Sequence, residues 1–472
     1  MLTAAVLGFG LAGLDSVVVG IALPAIGKDF GVGVESLQWV STAYTLTLAG
    51  LLLLAGTLGD RYGRRRVFLV GVIWFGLASM VCGVAPDATT LVLARALQGV
   101  GAALLTPGSL AILQASFVEG DRSRAIGAWS GLGGVAIAIG PFVGGWLIAV
   151  ASWRLVFFIN VPLVVAVVLI SLRHVPESRA PATPGRLDVA GAVAVTAGLT
   201  GLAYGLIEGP AQGWTSPEVL ASLAVGLVLL AVVVPVERRV ADPLLPPGIF
   251  RSAQFSAANA VTFVVYFALG GVFFLLPVVL QQVSGYSALE AGIALLPVTV
   301  IMLLLSARSG ALAARIGPRL QMTVGPLVIA AGLALLVRVD MDGNYLTQVL
   351  PAMLVFGLGL AINVAPLTAT AMDSAPAEHA GVASAINNDV ARAAGLIAVA
   401  VLPALSGITG DTYLHPEELA AGFGTAVLIS AGFCVLGGVL AGLTIRNPAR
   451  HTAPAQQLGS ELHCSVGAPP LR

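Results

Sequence analysis

Fourteen blocks of roughly 20 apolar residues, set apart by short charged gaps, decide what this chain can fold into. A segment of that length spans the hydrocarbon core of a bilayer only as a helix, because every backbone N–H and C=O must be satisfied within the segment. The blocks lie at 3–26, 37–58, 67–86, 90–115, 125–150, 154–172, 188–208, 217–236, 255–280, 288–307, 322–339, 348–372, 381–407 and 421–445. Only 10% of the 472 residues are charged, against roughly 25% in a soluble chain, and they concentrate in the gaps. The expected fold class is an all-α membrane protein with fourteen transmembrane helices.

The basic residues orient it. With the N-terminus in the cytoplasm, Arg61, Arg64, Arg65 and Arg66 and every later arginine cluster fall on inside loops. Only Lys28, Arg154 and Arg338 fall toward the outside, and Arg95 and Arg392 lie within spans. An even number of spans then places both termini inside, in the plasma (inner) membrane. The chain opens into apolar sequence without a basic leader region, so the first block reads as an uncleaved signal-anchor helix. A net charge of zero gives no field for nucleic acid. Cys82, Cys434 and Cys464 are far apart and the five histidines sit in or near loops, so neither a disulfide framework nor a metal site is expected. There is no phosphate-cradling GxxxxGK[ST] loop, no HExxH, and no loop long enough for a catalytic domain; enzyme and cofactor chemistry are not expected.

An internal repeat refines the architecture. Residues 56–71, GTLGDRYGRRRVFLVG, and 310–325, GALAARIGPRLQMTVG, share seven of sixteen positions without a gap, including Gly56/Gly310, Arg61/Arg315, Gly63/Gly317 and Gly71/Gly325. The copies lie eight spans apart, so two helices stand inserted between two six-helix halves. The division is then 1–175 and 246–446 for the bundles, 176–245 for the inserted pair, and 447–472 for a disordered cytoplasmic tail. Parallel six-span repeats with a site between them near the midplane are the plan of a secondary transporter.

Five strings carry chemistry. The first copy of the repeat combines glycines at a tight turn with Asp60 and the arginines Arg61, Arg64 and Arg65. The first span holds Asp15 near mid-membrane, where a carboxylate costs roughly 2.5–3.5 kcal/mol on insertion scales. Such a group is expected to face a cavity and exchange a proton; the competing reading is a permanently hydrogen-bonded aspartate. The fourth span reads LARALQGVGAA, with Arg95 and Gln98 on one face. Arg95 either tunes the proton affinity of Asp15 or snorkels outward onto carbonyls. The fifth span contains Gly140-Pro141-Phe-Val-Gly144-Gly145, which bends a helix and leaves a smooth surface. On the thirteenth span Asn387, Asp389 and Arg392 stand together; Asp389 and Arg392 either satisfy each other or line a cavity with Gln98, Asn387 and Asn363.

With these strings the chain resembles the major facilitator superfamily, and within it the fourteen-spanner drug:proton antiporter family, over about 440 residues. The loop motif GxLaDrxGrrxxl is present in full at 56–69, and RxxqGxgaA matches Arg95 to Ala102. The antiporter motif gxxxGPxxGG matches with Ala136 in its first position. The resemblance implies the major facilitator fold and a monomer that exports small lipophilic compounds in exchange for protons. It also implies that Asp60 latches onto the start of the thirteenth helix to shut the inside gate. The second repeat has Ala314 where Asp60 stands, so that latch is one-sided. The alternative is a facilitator or proton symporter for a small metabolite, against which the fifth-span motif argues.

Overall fold

The computed structural model describes residues 2–116, 119–179, 187–239, 247–375 and 380–447. The expected tail thus lies outside the described residues except for Asn447. Fourteen long helices follow one another: α1 Leu2–Phe30, α2 Val34–Tyr62, α3 Arg64–Gly83, α4 Ala88–Ser116, α5 Glu119–Val150, α6 Leu155–His174 and α7 Val189–Gln212. After these come α8 Pro217–Glu237, α9 Ala253–Gln282, α10 Ala288–Ile316, α11 Arg319–Arg338, α12 Tyr345–Asp373, α13 Ala380–Leu405 and α14 Pro416–Thr444. Thirteen are long and apolar enough to cross a bilayer, and α5 contributes a shorter apolar stretch, Gly134–Val150. α14 starts five residues before the apolar block at 421–445, because Pro416 and the acids Glu417 and Glu418 make a favourable but polar first turn.

Packing repeats with an offset of eight helices. α1 lies on α5 as α9 lies on α13, α3 on α4 as α11 on α12, and α2 on α4 as α10 on α12. Small residues set these contacts. A Cβ on Gly71 would meet the backbone N of Leu105 at 2.8 Å, and one on its repeat partner Gly325 would meet that of Asn363 at 3.1 Å. The last identity of the sequence repeat is therefore the point where α3 and α11 touch α4 and α12.

The two bundles meet along two seams, α2 against α13 and α5 against α10, which exchange under the same offset. They are drawn together at the end carrying the α1–α2 turn. There Gln38 donates to the carbonyls of Val399 (2.6 Å) and Ala400 (3.3 Å), Gly410 N donates to Glu35 (2.8 Å), and Gln281 donates to Ile21 O (3.1 Å). The inserted helices α7 and α8 pack on each other, and α7 covers the α2–α13 seam. Leu46, Leu199, Ala203 and Leu396 form a small core there.

Candidate functional site

Asp15 sits at the centre of the first bundle and is fully buried. One carboxylate oxygen accepts from Arg95 Nη1 at 2.5 Å; the other accepts from Gln98 Nε2 at 2.8 Å and Asn160 Nδ2 at 2.7 Å. Ser79 on α3 accepts from Asn160 (2.9 Å) and Gln98 (3.2 Å) and donates to Phe157 O (2.9 Å). Arg95 is only 1% exposed, donates through Nε to Val40 O at 3.2 Å, and lies 4.3 Å from the Tyr44 ring centroid. A guanidinium–carboxylate pair with several further hydrogen bonds on both groups can survive burial, whereas an unpaired one is costly. The cluster draws on α1, α3, α4 and α6. Arg95 does not snorkel outward, since its guanidinium is engaged at Asp15. Gln98, expected at a substrate wall, belongs to this network instead. Ser79 and Asn160 carried no charge to single them out in the sequence; the only sign was Asn160 two residues before Pro162, where the short break at Ile159 lets α6 restart.

Among the described residues the second bundle has no counterpart to this cluster. Asn387 donates to Asn259 (3.1 Å) and Thr262 (2.8 Å), tying α13 to α9. Asn363 is fully buried beside Gly325, and neither atom of its amide has a partner among the described residues. Asp389 and Arg392 do not form the ion pair that their spacing allows: Asp389 Oδ1 and Arg392 Nε are both buried and without a partner among the described residues.

The loop motif turns at Gly63, whose φ of +114° is open to glycine and strained for other residues. Asp60 is 44% exposed at its side chain and pairs with Arg64 at 2.8 Å, one turn on. The residues before α13 lie outside those described at 376–379, and the expected latch falls partly on them. Glu177, beyond α6, accepts from Arg65 N at 3.1 Å and lies 3.7 Å from Arg66, so it satisfies the start of α3. In the second bundle Asn447 accepts from Arg319 N at 3.1 Å and donates to Ile316 O at 3.3 Å beside Gly317. The expected tail therefore begins with a helix-capping residue. In α5 the Gly-Pro string serves two faces. Gly140 and Gly144 meet Val17 and Val18 of α1, while Gly145 abuts Ala288 and Leu289 of α10, and Pro141 abuts Gly292. Its glycines thus let α5 touch its own bundle and the opposite one at the closed end.

A sequence model described as Major Facilitator Superfamily matches residues 5–400. The chain is 38% identical to the puromycin resistance protein of Streptomyces alboniger over 95% of its own length and 90% of that protein's. It is 36% identical to the tetracenomycin C resistance and export protein of Streptomyces glaucescens, covering 89% and 78%. In fold it is similar to a bacterial homologue of the human lysosomal transporter Spinster, solved inward-facing and unoccupied. That match has a TM-score of 0.65 at 16% identity, over 95% of this chain and 98% of that one. By sequence and by fold, the chain belongs to the Major Facilitator Superfamily.

Proposed function

We propose that this protein is a proton-coupled antiporter that exports small lipophilic compounds by alternating access. The observation that carries the reading is the sealed Asp15–Arg95–Gln98–Asn160 network, an intramembrane ion pair at the heart of one bundle with no equivalent among the described residues of the other. A structural ion pair of this kind adds little net stability over an apolar pair, so its presence favours a coupling role. Names of relatives concerned with resistance and export supply the direction and the substrate class. Asp15 exchanges the proton, and Arg95 holds the ionised form after release. Residues 1–175 and 246–446 act as the two rocking bundles, with 176–245 inserted between them.

The excess of arginine puts the α2–α3 loop in the cytoplasm, with both termini, in the inner membrane. The closed α1–α2 end then faces outward, and the conformation is inward-facing. Asp60, paired with Arg64 in this state, is free to exchange to α13 when the inside closes. Its partners are lipid, protons and a small lipophile, and a monomer suffices.

The test is puromycin transport by purified protein in vesicles under an imposed pH gradient. Uphill movement of puromycin against the proton flow is the expected result. Movement in the same direction as protons would establish the symporter reading, and no response to the gradient would establish a facilitator.

A further inference from the structure

The inserted hairpin of α7 and α8 is fastened to one bundle and only rests on the other. At the outer end Trp39 of α2 donates its indole N–H to Glu208 of α7 at 2.9 Å, and its ring lies 6.3 Å from that of Tyr204. Glu208 also accepts from Gln212 at 3.0 Å, so both carboxylate oxygens are engaged where α7 meets α2. Midway, Gly50 of α2 faces Thr196 of α7. A Cβ added to Gly50 would lie 2.9 Å from the Thr196 Cβ and 3.0 Å from its Cα, so the two backbones approach as closely as glycine allows. At the inner end, the segment that leads into α7 is pinned to the start of α3. Arg64 N donates to Ser178 O at 2.9 Å, and Arg65 N donates to Glu177 at 3.1 Å.

Against the second bundle α7 presents a different surface. Val195, Leu199 and Ala203 share a core with Ala393, Leu396 and Ile397 of α13, and among the described residues no hydrogen bond crosses between these two helices. Thr196 and Thr200 of α7 turn their hydroxyls back onto their own helix. Lipid tails are as apolar as these side chains, so van der Waals contact alone holds that face. A shift along it exchanges one set of apolar contacts for another. A shift along α2 would instead break the Trp39–Glu208 hydrogen bond and drive the side chains flanking Gly50 into Thr196. α8 packs on α7, and the chain joins the second bundle beyond α8, where Ile249 packs with Phe255, Ala383 and Ile386.

We propose that α7 and α8 are a moving wall carried by the first bundle: they travel with α2 as one body and slide over α13 when the bundles rock. α7 lies over the α2–α13 seam, so a gap opening there at the inner end meets α7 and not lipid. The hairpin thereby keeps the cavity closed to the bilayer on that side without tying the bundles together. A wall fastened to both bundles would brace them, and one fastened to neither would leave the gap to lipid. The sliding rests on the alternating-access reading above; the fastening of α7 to α2 does not.

Cross-links from a single position of α7 test it in the full chain. Leu199→Cys is paired with Leu46→Cys on α2 or with Leu396→Cys on α13, two residues of the same core. Puromycin uptake by everted vesicles is measured before oxidation, after it, and after reduction, so the reduced form of each pair reports on folding. The Leu199→Cys/Leu46→Cys bond should leave uptake unchanged. The Leu199→Cys/Leu396→Cys bond should abolish uptake, and reduction should restore it. Loss of uptake with the bond to α2, or full uptake with the bond to α13, would overturn the proposal. Where Leu199→Cys disturbs the core, Gly50→Cys with Thr196→Cys and Ala203→Cys with Leu396→Cys repeat the comparison under the same criteria. A third pair, Gln38→Cys with Val399→Cys bridged by a bifunctional thiol reagent, pins the two bundles at the outer end. Uptake that survives this bridge would show that the bundles do not rock, and the alternating-access reading would fail and the sliding with it. Uptake lost to the bridge supports the rocking, and the Leu199→Cys pairs then decide which bundle carries α7.

Discussion

Two aspartates of the same chain meet the cost of membrane burial in opposite ways. Asp15 has donors from three other residues on α4 and α6, whereas Asp389 has a buried oxygen with none among the described residues. Removing the charge from the first leaves Arg95 buried and alone, a loss of about 3–5 kcal/mol for pairs of this kind. Asp15→Asn should therefore insert in the membrane, lose proton-driven export, and unfold at lower temperature in detergent than wild type. The double change Asp15→Asn with Arg95→Gln should recover most of the lost stability and none of the export. Thermal unfolding alongside vesicle efflux checks both, and wild-type efflux by Asp15→Asn would remove it from the coupling route. The sequence pointed to Asp15 and Arg95 because charge is rare in apolar blocks. It could not show Asn160 and Ser79 as partners, since neutral polar residues are common in such helices and their meeting depends on how α3 and α6 pack. The i+3 spacing of Asp389 and Arg392 allowed an ion pair, but spacing gives reach and not rotamer, and the pair is not made in this state.

At the scale of helices, glycine placement governs what can close. A Cβ on Gly145 would run into the Ala288 carbonyl, and one on Gly292 into that of Pro141, so α5 and α10 are in backbone contact at the end carrying the α1–α2 turn. Gly145→Val should hold this end apart. The expected outcome is a protein locked toward the outside, with export lost and a cysteine placed at position 291, a buried alanine of α10, newly open to a membrane-impermeant thiol reagent from outside. Labelling no faster than in the unsubstituted background would show that the interlock is dispensable. Asp60→Asn should act differently if, as proposed, its charge bears on a gate at the inner end and not on the substrate. Turnover should fall several-fold with little change in the concentration for half-maximal puromycin transport; the reverse pattern would rule out a latch. The repeat at 56–71 and 310–325 was legible because both copies need the same turn. Glu177 and Asn447, which cap those turns from beyond α6 and α14, share no residue identity and left no trace in the sequence.

For the whole molecule, the deciding property is how few charges the midplane holds. Asp15 and Arg95 cancel within a sealed pair, and among the described residues Asp389 and Arg392 are the midspan charges of the second bundle that a substrate would meet if they line its cavity. With Asp389 neutral the balance is one positive charge, by formal count. Two like unit charges about 6 Å apart repel by about 3 kcal/mol at an effective dielectric of about 20. Each added positive charge on a substrate therefore costs on the order of a hundredfold in occupancy unless Asp389 ionises to meet it. One charge can be met in this way by one carboxylate; a second has no acid left to meet it, since Glu208 and Glu290 lie near helix ends, engaged by Trp39 and Gln212 and by Ser287. A neutral or singly charged amphiphile avoids that cost and gains from burial against apolar walls. Ethidium and a bis-cationic biguanide disinfectant of similar hydrophobicity, compared side by side in everted vesicles, should differ by at least tenfold in export rate in favour of the monocation. Equal export of the dication would mean that Glu208 or Glu290 swings inward during transport, and the same comparison in Glu290→Gln and Glu208→Gln would identify which one does.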